Sequence, residues 1–366
     1  MNSLLCRLCG SQSLSRLPDP HPNRAIVSNL AVIAEALEKY ACTACGIISR
    51  VHGPVNFQST EYDLYAHAPG GTIENARQAS YARWISSLAP GARSFFEAGC
   101  GNGSLLLALR TLNPHSTVCG VEPAPGAAAQ ALTAGVDVEC DLLRPRARGK
   151  EASLAIAVNV IEHTPDPLGF VRDLATQGEQ VLVVCPDGSV PNSEMLFADH
   201  LQSLTSADIQ RLFTDAGLRV VSQERAPAEI GPFLATLAKR DRNDHASVDT
   251  PPRSHDAARR YLETWSGLDA ALQQRLDRFD DLLCFGAGEA AALLRAYCPK
   301  AWARIRACIA DEVSDHTFFE KEVYRTADVR LGPVLLGARP QVQHALASRI
   351  SAAGGTPITW DDLVSF

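Results

Sequence analysis

Apolar positions along this chain fall into two alternating rhythms. Between residues 94 and 222, short apolar runs at 94–98, 117–121, 155–158, 179–184 and 218–222 are separated by segments with helical spacing. Runs of that length predict strands, and strands alternating with helices predict a parallel sheet with crossover helices. A short strand near 136–138 and helices over 104–110 and 206–216 complete the pattern, with 218–222 entering an antiparallel pair at the sheet's end. The segment 241–255 is polar and Pro-containing, with almost no large apolar residue, and predicts a linker. Helical spacing returns over 257–280 at Tyr261, Leu262, Trp265, Leu268, Leu272, Leu276 and Phe279. A smaller strand and helix alternation follows, including a helix over 290–297 and a strand over 305–310. Residues 1–70 show neither rhythm and read as a loop-rich module. The expected organisation is therefore α/β, with domains at 1–70, 71–240 and 256–366 joined at the last step by 241–255.

Length supports that division, since 366 residues exceed one ordinary core. A net charge of −7, with no basic block to offset it, excludes the electrostatic footprint of a nucleic-acid binder. The first residues lack the apolar core of a secretory signal, and runs such as 154–158 and 181–185 are strand-sized. The expectation is a cytoplasmic protein without nucleic-acid or membrane partners, acting on a small molecule.

Eleven cysteines in such a chain point to thiols and metal ligands rather than disulfides. Cys6 and Cys9 form one C-x2-C pair, and Cys42 and Cys45 form another, with 32 residues between the pairs. Two such pairs supply four thiolates to one tetrahedral Zn²⁺ with no open coordination position, so the metal's role is structural. Buried or redox-active thiols are the alternative.

The strand at 94–98 runs into Gly99-Cys-Gly101-Asn-Gly103 and then a helix, a strand-turn-helix in which backbone amides approach a ligand. Three features choose among cofactors. Glu97 stands just before the glycines, where a carboxylate suits the amino group of S-adenosylmethionine and repels a pyrophosphate. Glu122 ends the next strand, 21 residues beyond Gly101, where a carboxylate accepts both hydrogen bonds of a ribose diol. The G-x-G-x-G spacing also lacks the full dinucleotide fingerprint. Asp141, after the third strand, is placed to accept the adenine amino group. Asn159 opens the loop Asn159-Val-Ile-Glu-His-Thr-Pro-Asp166, which faces the reactive methyl.

Residues 71–240 resemble the class I S-adenosylmethionine-dependent methyltransferases, on Glu97-x-Gly-x-Gly-x-Gly103, Val160-Ile-Glu-His-Thr-Pro-Asp-Pro167 and Asp199-His200 together. This resemblance implies a Rossmann-like methyltransferase sheet. The whole layout is similar to the zinc-containing C-methyltransferases of nucleotide-linked deoxysugars. It implies a small N-terminal zinc module, the methyltransferase domain, and a smaller C-terminal Rossmann-like α/β domain opening at Leu282-Leu-Cys-Phe-Gly-Ala-Gly-Glu289. The chain departs from that branch in reading Gly101-Asn-Gly103 in the first turn, and Glu289 and Ala290 where a lysine usually follows the second. An acid at a helix N-terminus repels a substrate pyrophosphate, so the second turn is either a substrate site or a packing element.

The same resemblance places the catalytic base in Phe197-Ala-Asp-His200, with His200 removing the acceptor proton and Asp199 orienting it, although Phe197 replaces the usual tyrosine. Glu162-His163 is the second candidate pair, and His163 the next base. Histidine titrates near neutrality, as general-base work requires. The expected activity is methyl transfer to a small molecule, C-methylation of a sugar or natural-product intermediate first, O- or N-methylation second. A non-catalytic S-adenosylmethionine-binding scaffold and a nicotinamide dehydrogenase are the rivals from other classes.

Overall fold

The computed structural model describes residues 4–50, 72–146, 151–240, 254–313 and 315–364. Most of the expected linker and residues 51–70 of the expected N-terminal module lie outside them. The chain divides into two compact units, one of residues 1–15, 40–189 and 199–253, the other of 16–39, 190–198 and 254–366.

The first unit carries a seven-stranded sheet, ordered Leu218–Arg225, Phe233–Arg240, Gly178–Pro186, Ala152–Val158, Ser94–Ala98, Thr117–Val121 and Asp137–Glu139. Counted in chain order, the strands lie 3-2-1-4-5-7-6 across the sheet, and only Phe233–Arg240 runs antiparallel to its neighbours. Both faces are covered, which is why the central strands read as continuous apolar runs. The two-residue period nevertheless sorts them. Phe96, Ala155, Val181 and Val183 pack one face with the helices Pro167–Leu174 and Ser206–Asp215. Phe95, Ile156, Leu182 and Val184 pack the other with Thr72–Leu88 and Ser104–Leu112.

Local chemistry agrees with these boundaries. The helix at Ser206–Asp215 starts on a capping box, in which Thr205 and Asp208 satisfy each other's backbone amides. The helix at Pro167–Leu174 starts with proline in its first turn and with the Asp166 side chain accepting from the Gly169 amide. The fifth strand runs to Pro186, beyond the predicted end, because the antiparallel neighbour continues the pairing through Phe233.

Leu14–Arg16, Lys39–Cys42, Ile48–Arg50 and Gln202–Ser203 form a separate four-stranded sheet. Cys6, Cys42, Cys45 and Ile47 join the first face's core.

The second unit has its own sheet, ordered Thr317–Phe318, Lys321–Arg325, Ile305–Ala310, Leu282–Phe285, Pro333–Leu336 and Thr356–Ile358, parallel except for its first strand. The periodic apolar residues of the helix Asp256–Leu276 are buried. Trp265 meets Trp360 and Tyr297 edge-on at 5.7 and 6.0 Å, geometry favoured by ring quadrupoles. Among the described residues no helix is long and apolar enough to cross a membrane.

Candidate active site and metal centre

The two C-x2-C pairs converge. Cys6 Sγ lies 3.6 Å from Cys45 Sγ, and Cys9 Sγ lies 3.6 Å from Cys42 Sγ. Those separations are far beyond a disulfide bond. They approach the edge of about 3.8 Å set by a tetrahedron with Zn–S bonds near 2.3 Å. Each pair closes on a tight turn, with the Gly10 amide donating to Cys6 O and the Gly46 amide to Cys42 O. Both glycines have positive φ, 70° and 83°.

This cluster is tied to the sheet's functional edge. Gln202 pairs with Ser49, the Arg50 amide donates to Leu201 O, and Leu201 donates to Glu162 O. Gln202 Nε2 donates to Ile161 O and Thr164 O. Arg7 reaches from within the first cysteine pair to Arg50 O and Pro165 O. The cysteine module thereby holds the two segments that carry Glu162-His163 and Asp199-His200.

Beyond the carboxyl ends of the parallel strands lies a cavity of about 660 Å³, inside the range of small-ligand sites and at the position where open α/β sheets bind them. Glu97, Gly99, Gly101, Glu122, Asn159 and His163 all line it. Gly99, at φ 70°, is required twice over, because a Cβ there would stand 2.6 Å from Val160 Cγ2. Gly101, at φ 52°, has open space beside it and donates its amide to Glu122 Oε2 at 2.8 Å. Glu122 Oε1 accepts from the Ala124 amide at 2.8 Å, so two backbone donors fix this carboxylate at the cavity wall.

Glu97 is in a different condition. It is 3% exposed, and its Oε2 has no hydrogen-bond partner. Burial, with the nearby Glu122 charge adding to it, pushes its pKa up to about 8. A carboxyl held there is largely uncharged at neutral pH, and a cation beside it would favour its ionised form. Asn159 also presents a buried Oδ1 without a partner, on a backbone with φ 55°, the left-handed region asparagine tolerates best.

Asp141 stands apart. It is not on the cavity wall, and its carboxylate is held by Arg144 at 2.9 Å and by the Leu142 amide. The short third strand ends just before it and turns the side chain onto its own loop. Leu142 and Leu143 line the cavity instead.

The two histidines are brought together, in an order that differs from the sequence expectation. His163 and Asp199 reach the cavity, while His200 is buried behind them, 8% exposed and off the wall. His163 Nδ1 lies 3.0 Å from Asp199 O and 3.6 Å from Asp199 Oδ2. The rings of His163 and His200 meet edge to face at 4.8 Å.

Sequence reasoning missed Tyr81, Cys100, Phe170 and Asp173, which complete the wall. The spacing of Asp166, Phe170 and Asp173, one helical turn apart, was the available sign that one face of that helix turns toward the loop.

A family model described as a methyltransferase domain matches residues 73–223. The matched stretch holds the first glycine turn, Glu122 and Glu162-His163. No curated protein matches it in sequence. Among solved structures, magnesium protoporphyrin IX methyltransferase from Synechocystis PCC 6803, with bound S-adenosylmethionine, is 17% identical. The match covers 52% of this chain and 86% of that one at a TM-score of 0.36. Mitomycin 7-O-methyltransferase is 20% identical over 50% of this chain and 58% of that one, at 0.41. A glycopeptide N-methyltransferase is 12% identical over 45% and 96%, at 0.39.

Proposed function

We propose that the cavity binds S-adenosylmethionine and that the chain transfers its methyl group to a small molecule. The observation that carries this reading is Glu97, a buried carboxyl with an unpartnered oxygen at the end of the first strand. The amino group of the methionine moiety supplies the cation it lacks. Glu122, with both oxygens already aligned by backbone amides, accepts the ribose hydroxyls through its remaining lone pairs. Methyl transfer to a good sulfonium donor asks mainly for position and for removal of the acceptor's proton. His163 and Asp199 form the wall at which the acceptor is read, with His200 supporting them. The acceptor is a sugar or natural-product intermediate, and C-methylation is the first expectation on the resemblance of the three-part layout. Four thiolates at tetrahedral spacing hold one structural Zn²⁺, which keeps the acceptor-side loops in place.

Calorimetric titration of the purified chain with S-adenosylhomocysteine tests the cofactor site, with binding expected in the wild type and weakened about tenfold or more in Glu97→Gln. Heat-silent titration, with no binding detected by equilibrium dialysis either, would overturn the assignment. Metal analysis of protein prepared without chelator is expected to find one tightly held zinc.

A further inference from the structure

Behind the acceptor-side wall, three donor-bearing side chains stand together. Glu162, His163 and His200 each offer one ligand atom, and these atoms lie within 4.8 Å of one another. Glu162 is 2% exposed and His200 8%, while His163 reaches the cavity. The Asp199 carbonyl, 3.0 Å from His163 Nδ1, can only accept. Nδ1 therefore carries the proton, and the lone pair of His163 sits on Nε2. An imidazole held by one N–H on a backbone carbonyl, with the other nitrogen as donor, is the arrangement that orients ligating histidines.

We propose that Glu162, His163 and His200 form a second metal site, distinct from the four cysteines, for one divalent first-row transition cation. Two imidazoles and one carboxylate favour Mn²⁺ through Zn²⁺ over Mg²⁺ or Ca²⁺, which prefer all-oxygen sets. Three donors spread evenly around an ion with bonds near 2.1 Å stand about 3.6 Å apart, so the ion draws these three together by up to about an ångström. Three protein donors leave coordination positions open, and His163, the one of the three that lines the cavity, links the site to it. One carboxylate offsets part of the ion's charge and leaves a net positive centre.

Resting on the methyl-transfer reading, the ion's task follows. An acceptor oxygen that enters the open position becomes a stronger acid at its neighbouring O–H, or at the C–H beside a carbonyl. That bond breaks and its proton passes to the Asp199 carboxylate, which lines the same cavity. The electron pair left on the acceptor attacks the methyl carbon, and the C–S pair returns to sulfur.

The test is titration of Co²⁺ into the full-length, zinc-loaded chain, followed by visible absorption and calorimetry, with S-adenosylhomocysteine affinity measured on the same samples. One Co²⁺ per chain is expected, with weak ligand-field bands and no intense thiolate charge-transfer band. Glu162→Gln, which keeps the volume and removes the charge, and His200→Ala are each expected to weaken Co²⁺ binding at least tenfold. S-adenosylhomocysteine affinity reports whether each variant is folded, and Glu162→Gln suffices should His200→Ala not fold. A wild-type chain that binds S-adenosylhomocysteine but no Co²⁺ overturns the metal site and leaves the cofactor reading standing. A thiolate-dominated spectrum indifferent to Glu162→Gln overturns it equally. Co²⁺ binding without S-adenosylhomocysteine binding does the reverse, and removes the methyl-transfer role while the site remains.

Discussion

The chain contains two glycine-rich turns between a strand and a helix, and they do opposite things with the same local grammar. At Gly99–Gly103 the middle glycine opens onto a cavity. Gly101 has nothing within 4 Å of where a Cβ would stand, and the acid before the turn, Glu97, is buried with an oxygen unpartnered. At Gly286–Gly288 the first glycine is closed in, for a Cβ on Gly286 would lie 2.6 Å from Gly337 O. The acid after that turn, Glu289, accepts from Ser193 Oγ at 2.8 Å and from Arg339 at 3.1 Å. One turn leaves its middle glycine facing an open cavity, the other uses its first glycine for the contact between two backbones. Glycine identity marks that something approaches closely, and only the neighbours say what.

The sharpest way to break this contrast is Gly286→Ala. It places a methyl against a carbonyl on a backbone with φ 109°, a combination of strain and overpacking worth about 3 kcal/mol. Denaturant unfolding is expected to show a loss of that order, with S-adenosylhomocysteine affinity unchanged in the folded protein. An affinity loss without a stability loss would make the second turn a ligand site after all.

The counterpart in the first turn is Glu122→Ala. Removing a carboxylate that organises the Gly101 amide and faces the ribose should cost about 1.5–3 kcal/mol of binding, roughly tenfold to a hundredfold in Kd. Calorimetry returning the wild-type Kd would take Glu122 out of the site.

A pH series sharpens the role of Glu97. Its pKa is pushed up to about 8 by burial, and binding an ammonium requires the carboxylate. Cofactor affinity should therefore rise about tenfold per unit from pH 6 toward pH 8 and then level off. In the free protein the folded chain holds a proton that the unfolded chain, with an ordinary value of 4.5, has released. The folded state binds more protons across that window, so Glu97 lowers stability progressively as pH rises through it. Glu97→Gln should flatten the affinity profile and raise stability at pH 8 relative to the wild type. A wild-type affinity profile as flat as the variant's would show that Glu97 stays uncharged with ligand bound.

These contrasts also explain what the sequence could say. The alternation of strands and helices, the two cysteine pairs, and the positions of Glu97, Gly101 and Glu122 around the first glycine turn were legible because each depends on short-range spacing along the chain. Asp141 lies off the cavity wall because its side chain has a nearer partner, Arg144, three residues on, which no strand count reveals. His200 and His163 exchanged positions relative to the cavity because depth behind a wall is set by tertiary packing. Here that packing comes from Gln202 and Leu201 pinning the segment to Glu162, Ile161 and Thr164. The grouping of residues 16–39 and 190–198 with the C-terminal unit had no sequence signal, since it joins stretches that share no periodicity.

The smallest expected effect discriminates most finely between the two uses of a glycine turn. Glu289→Ala removes one acid at the N-terminus of the helix Glu289–Tyr297, together with its bonds to Ser193 and Arg339. Its contact with Arg339 is half in solvent, with side-chain exposures of 51% and 31%, and such pairs contribute about 0–1 kcal/mol. The loss of a favourable charge at the helix's positive end adds a similar amount. Unfolding is therefore expected to shift by no more than about 2 kcal/mol. The informative measurement is binding of a nucleoside diphosphate to wild type and variant. Were this turn a pyrophosphate cradle blocked by its acid, deleting the carboxylate would free Arg339 and the helix's amides, and binding would appear or strengthen tenfold or more. Gly286 already lies against Gly337 O, so backbone packing accounts for the first glycine of this turn. Neither protein is expected to bind the diphosphate, and a saturable signal in Glu289→Ala alone would show that the acid, and not the packing, keeps the second turn closed.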